Sequence, residues 1–159
     1  MNYTEIAVKL GVVILLSGFI GFDRELKHKP AGIKTHIMVG LGSTLFMLVS
    51  LYIYMQYKGT TQVDPGRIAA QVVTGIGFLG AGSIIQSGGT VTGLTTAASL
   101  WAVAGIGLAV GAGMYPLAVM ATAAILVVFA IINVIFDAIE KSLIHIKKHG
   151  KNSDAGNAD

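Results

Sequence analysis

The chain has 159 residues, 53% of them hydrophobic and only 12% charged, with a mean hydropathy of +0.73 and a formal net charge of +3. A chain this short has no room for a second folded unit beside several membrane spans, and the absence of cysteine excludes disulfides, iron–sulfur clusters and thiol catalysis. The positive balance does not point to nucleic acid, because the lysines and arginines gather at the edges of apolar segments, where they set topology.

Residues 6–22 form the first apolar segment, entered by Glu5 and Lys9 and closed by Asp23, Arg24 and Glu25. A cleaved signal is not expected, since no small-residue cleavage site follows and the stronger positive flank is C-terminal. The connection from Gly21 to His36 reads GFDRELKHKPAGIKTH and is the densest polar stretch, with Asp23, Arg24, Glu25, Lys27, Lys29 and Lys34. It reads either as a topology-setting loop with affinity for anionic lipid, or as a site where Arg24 and Glu25 leave a helix end to meet a ligand or partner. His28 and His36 lie eight residues apart with Pro30 between them, a poor spacing for a shared metal, and no metal site is assigned.

The second span is predicted at 33–55 and the third at 68–86. Asp64-Pro65 is a helix-start signal: the carboxylate can cap free N–H groups, and proline suits the first helical position because its missing donor costs nothing there. Arg67, Gln71 and Thr74 share a face beside Asp64, and a pairing of Arg67 with Asp64 is the plain reading of that end. From Ile68 to Phe136 no charged side chain occurs, yet eleven glycines do. A stretch of that kind belongs in lipid, where about 20 apolar residues already cross the hydrocarbon.

Small residues at helical spacing mark two faces: Ala70, Thr74, Gly77 and Ala81 in span three, and Ala98, Ala102, Gly105, Ala109 and Ala112 in span four, predicted at 94–113. Close backbone approach through small residues supplies much of helix packing in lipid, so these faces are expected to meet each other or a second subunit. Between the two spans, Ser87 to Gly93 is either an ordinary connection or a broken-helix loop presenting carbonyls to an ion. Gly75, Gly77 and Gly80 do not make a nucleotide loop, because no strand precedes them and no phosphate-binding lysine follows. Thr92, Thr96 and Ser99, with Thr95 nearby, offer hydroxyls that bond back to their own helix or contact a ligand. Tyr115-Pro116 opens span five at 116–136, after which Asp137 and Lys141, spaced like Asn133 and Asp137, form an expected ion pair; residues 148–159 read as a disordered tail.

The expectation is an all-α membrane protein: one domain over 1–147, with five transmembrane helices packed through Gly/Ala-rich faces. Arg24, Lys27, Lys29 and Lys34 must share a side with Lys141, Lys147, Lys148 and Lys151, which puts the N-terminus outside and the C-terminus inside.

The blocks GFDRELKHKPAGIKTH, LGSTLFMLVS, DPGRIAAQVVTGIGFLGAGSII and VTGLTTAASLW resemble the MgtC/SapB family of bacterial inner-membrane proteins, in order and spacing over about residues 11 to 113. Asp23 departs from the glutamate more usual there. The resemblance implies a multi-pass inner-membrane protein connected with growth in low magnesium and ion homeostasis. It also implies survival inside host cells in pathogenic members and restraint of the rotary ATP synthase in part of the family. Better-studied members carry a soluble domain after the last span, and regulation belonging to it is not expected from the short tail here. The matching blocks single out Arg24, Glu25, Lys34, Thr35 and His36 on the inner side, Asp64, Arg67 and Gln71 on the outer side, and Thr95 and Thr96 after the glycine loop.

Two functions follow: a small-ion transporter, or a membrane interaction protein that modulates another complex such as the ATP synthase. Mg²⁺ usually needs one or two carboxylates, and none lies at mid-span, which weakens the first. The same lack disfavours a rotor-like proton carrier. An intramembrane enzyme is not expected, because Ser83, Ser99 and the threonines have no base beside them at membrane depth, and no cofactor is implied. The lipid bilayer is the expected partner, and a homodimer or other homo-oligomer the expected assembly.

Overall fold

An apolar segment in lipid can close its backbone hydrogen bonds by itself only as a helix. Among the described residues five helices form: α1 Tyr3–Leu26, α2 Ile33–Tyr57, α3 Gly66–Gly82, α4 Leu94–Gly111 and α5 Tyr115–Ile132. The computed structural model describes residues 2–60, 62–132 and 134–135. Four helices, α1, α2, α4 and α5, are long and apolar enough to cross a membrane; α3 is shorter, at 17 residues. The chain divides into two compact units, residues 1–123 and 124–159; the first holds α1 to α4 and the start of α5, and of the second, residues 124–132 of α5 and residues 134–135 are described.

Element boundaries depart from the sequence expectation at two places. α1 does not stop at residue 22 but carries Asp23, Arg24 and Glu25 inside its last turn, where Asp23 pairs with Lys27. Pro30 and the positive φ values of His28 and Ala31 then turn the chain, and the Glu25 carboxylate accepts the first N–H of α2, from Ile33, at 2.8 Å. Span three does not run to residue 86. It ends at Gly82, and Ile85–Ser87 (β1) pairs antiparallel with Thr90–Thr92 (β2) around Gly88-Gly89, both at positive φ. Two glycines with φ above zero suit a tight hairpin turn whose twist matches its strands. The loop is thus a hairpin, not the broken helix weighed above. At its neck, Gly93 has φ +89° and lies so close to the Ser83 carbonyl that a Cβ would overlap it.

α4 forms the centre of the first unit and packs against α1, α2 and α3. Half of its span is buried, against 28% in α1 and in α2. Its inward face carries Thr96, Ser99, Leu100, Val103, Gly107 and Val110. The tightest crossing lies at Gly107, where a Cβ would stand 2.5 Å from the Gly40 carbonyl oxygen and 2.8 Å from Ser43 Cβ. The bared Gly107 carbonyl accepts from Thr44 Oγ1 at 2.9 Å. At its C-terminus α4 closes in a Schellman turn: Gly113 N–H bonds Val110 O and Met114 N–H bonds Ala109 O, with Gly113 at φ +82°.

Of the two roles expected for the small-residue faces, packing on each other is not seen within the chain. Ala70, Thr74, Gly77, Ala81, Ala98, Gly105 and Ala112 are exposed, and Ala102 and Ala109 are only half-buried. A Cβ at Gly77 or Gly105 would meet nothing within 4 Å. Within the chain these faces do not meet; the opposite face of α4 does the packing. Asn133, the Asp137–Lys141 pair, the end of span five and the tail at 148–159 lie outside the described residues.

Candidate functional site

Burying a cation inside a helix bundle requires oxygen partners at hydrogen-bond distance. Arg24, 6% exposed, turns inward from the last turn of α1 and donates from Nη2 to Thr96 Oγ1 on α4 at 2.7 Å. Thr96, 1% exposed, also lies 3.4 Å from the Pro30 carbonyl of the α1–α2 turn. Beside it His36, fully buried on α2, places Nδ1 2.9 Å from Gly32 O and Nε2 3.1 Å from Ser99 Oγ. Gly32 O can only accept, so Nδ1 carries a proton, assigned here from the network. The single hydroxyl hydrogen of Ser99 then has two acceptors within reach, His36 Nε2 and Thr96 O at 2.8 Å.

This node joins α1, α2, α4 and the turn between the first two. The helices come close enough because Gly21 has no side chain: a Cβ there would stand 2.7 Å from Ile33 Cα and 3.1 Å from His36 Cβ. A second cation fixes the far end of the same helix pair. Lys9, 4% exposed, donates to the Gly111 carbonyl at the C-terminus of α4 at 3.0 Å and pairs with Glu5 at 2.8 Å. A cation is favoured at a helix C-terminus by the peptide dipoles. Lys9 and Arg24 are fifteen residues apart in α1, as are Thr96 and Gly111 in α4. The two helices are therefore held antiparallel by bonds about 22 Å apart along their axes.

Of the positions that the sequence singled out, the structure brings together Arg24, His36 and Thr96. Thr95, next to Thr96, is exposed and outside the node. Glu25 caps α2, while Lys34 and Thr35 sit exposed on its first turn. Asp64, Arg67 and Gln71 lie apart from the node, at the start of α3. That start is anchored by Ser50 Oγ donating to Pro65 O at 2.5 Å, fourteen residues along α2 from His36, or about 21 Å. Asp64 accepts from the Gly66 N–H at 2.7 Å, and no ion pair between Asp64 and Arg67 occurs among the described residues. The sequence does not mark Gly21 or Lys9 as site residues, and it offers Ser99 only as a hydroxyl in line with Thr96. Lys9 carried a readable signal: a lysine inside an apolar segment, one helical turn after a glutamate.

α2 and α3 also leave between them an apolar groove of about 500 Å³, lined by Thr35, Met38, Gly42, Phe46, Val72, Gly75 and Leu79 among others. Among the described residues no three histidine, aspartate or glutamate side chains converge as a metal-binding group.

The bundle defines a helical membrane protein whose interior polar contacts are made by cations, an imidazole, hydroxyls and carbonyls. The MgtC family model matches residues 10–138, and the chain belongs to that family. It is 42% identical over 131 residues to the Escherichia coli K12 protein named "Putative magnesium transporter YhiD", covering 81% of this chain and 61% of that protein. It is 44% identical over 115 residues to protein SapB of Bacillus subtilis, covering 70% of this chain and 49% of that one. With protein MgtC of Brucella abortus it shares 40% identity over 134 residues, covering 84% and 54%. The matched part is about half to three-fifths of the length of these relatives. No solved structure matches the chain.

Proposed function

We propose that the chain is a cytoplasmic-membrane protein, N-terminus outside and C-terminus inside, that serves magnesium homeostasis by binding and modulating another membrane complex. The observation that carries this reading is the state of the carboxylates. Four lie among the described residues, and each is already engaged: Glu5 with Lys9, Asp23 with Lys27, Glu25 with the Ile33 N–H and Asp64 with the Gly66 N–H. Among the described residues the buried charges are both positive, Lys9 and Arg24. Mg²⁺ binds through carboxylates and keeps much of its water, so an interior of this kind repels it. The rotary ATP synthase is the partner that the family resemblance suggests, and the outward small-residue faces suit association of two copies.

A transporter is the second reading, favoured by the name of the E. coli relative. Two measurements on the full chain separate them: rescue of growth in low magnesium in a strain lacking it, and flux of Mg²⁺, H⁺ and K⁺ into liposomes holding the purified protein. The modulator reading expects rescue with silent liposomes. Saturable Mg²⁺ flux that Arg67→Ala abolishes would overturn it.

A further inference from the structure

The groove between α2 and α3 has a shape and a charge that specify an occupant. Along its α2 wall, Met38, Gly42 and Phe46 recur every four residues; Val72, Gly75 and Leu79 line the facing side of α3. Met38, Phe46 and Leu79 are 67%, 53% and 55% exposed, so the groove opens sideways. The two glycines hollow out its walls: a Cβ at Gly42 or at Gly75 would meet nothing within 4 Å. From Thr35 to Phe46 the groove follows eleven residues of helix, about 16 Å, close to the thickness of one leaflet of a hydrocarbon core of about 30 Å.

Lys34 continues the row of Met38, Gly42 and Phe46 by one more step of four, toward the α1–α2 turn. Helical side chains lean toward the N-terminus, which carries its ammonium beyond the groove to headgroup depth. It is exposed and makes no ion pair among the described residues. We propose that the groove is a lipid site, holding one acyl chain of an anionic phospholipid from the leaflet at the α1–α2 turn, with the phosphate on Lys34. The site does not depend on whether the protein modulates a partner or moves an ion.

The test is native mass spectrometry of the full chain taken from nanodiscs of mixed phosphatidylglycerol and phosphatidylcholine, counting the lipid retained. Wild type retains phosphatidylglycerol in preference. Lys34→Gln lowers that preference about fivefold, the effect of one lysine at a membrane surface, whereas Lys29→Gln leaves it unchanged. Gly75→Leu and, separately, Gly42→Leu fill the groove and lose both lipids while keeping the unfolding temperature of the delipidated protein, since leucine favours a helix over glycine. Retention of phosphatidylglycerol by a leucine variant that keeps its unfolding temperature would overturn the proposal. So would an equal loss of preference in Lys29→Gln and Lys34→Gln, which would mark a general surface charge. A leucine variant that changed the oligomeric mass with lipid retention intact would assign the groove to a second copy instead.

Discussion

Thr95 and Thr96 are neighbours of the same chemistry, and the structure gives them opposite burdens. Thr96→Val replaces the hydroxyl 2.7 Å from Arg24 Nη2 with a methyl group and also removes the contact with Pro30 O. A hydrogen bond inside a membrane protein averages about 0.6 kcal/mol with a maximum near 1.7, and one to a charged group is worth about 1.5–3 kcal/mol in general. Arg24 keeps its other interactions, which holds the loss below the upper figure. The expected destabilisation is about 1–2 kcal/mol, a factor of about 5–30 in the ratio of unfolded to folded protein. Thr95→Val, at an exposed position, stays within about 0.5 kcal/mol of wild type. Titration of both variants with a denaturing detergent, followed by circular dichroism and by the fluorescence of Trp101, measures the difference. Equal midpoints for the two would refute the idea that Arg24 is held inside the bundle through Thr96.

Gly107→Ala forces a Cβ to within 2.5 Å of the Gly40 carbonyl oxygen, and overpacking of this kind costs about 1–3 kcal/mol; Gly105→Leu, with open space around it, leaves the fold intact. If the exposed face joins two copies, Gly105→Leu lowers the oligomeric mass in native detergent extracts, and an unchanged mass would remove that face from assembly. Gly93→Ala places a side chain at φ +89° against the Ser83 carbonyl and destabilises the hairpin by more than about 1 kcal/mol. Faster amide exchange over residues 85–92, with α1 and α2 unchanged, is the expected result, and unaltered exchange there would show that the crossing relaxes.

The helices were legible because each apolar run is bounded by charge, proline or glycine, and lipid leaves such a run no alternative to a helix. Which face turns inward was not legible. In water an apolar stripe marks the core, but in lipid both faces are apolar, so the spacing of Ala98, Ala102 and Gly105 carried no sign for inside or outside. The packing glycines, 21, 40, 107 and 111, differ from 77 and 105 only in what stands opposite them in three dimensions. The site was half legible. Arg24, His36 and Thr96 stood out as polar residues in the matching blocks, yet nothing in the sequence joined a helix end at residue 24 to a hydroxyl at residue 96. Thr95 and Thr96 could be told apart only once α4 had a direction.

The brevity of α3 has a consequence for any bilayer that it crosses. Its 17 residues reach about 25 Å, and it begins at the level of Ser50, seven residues before α2 ends. A hydrocarbon slab that matches the 24 and 25 residues of α1 and α2 is several ångströms too thick for it. A helix that is too long can tilt, but one that is too short draws the lipid surface down toward it, at a cost of a fraction of a kcal/mol per ångström of mismatch. If α3 crosses the bilayer, that depression falls where Asp64 and Arg67 sit and brings water to their level. Were α3 to cross the bilayer, two copies sharing one such depression would deform less membrane than two apart, and thickness alone would draw them together.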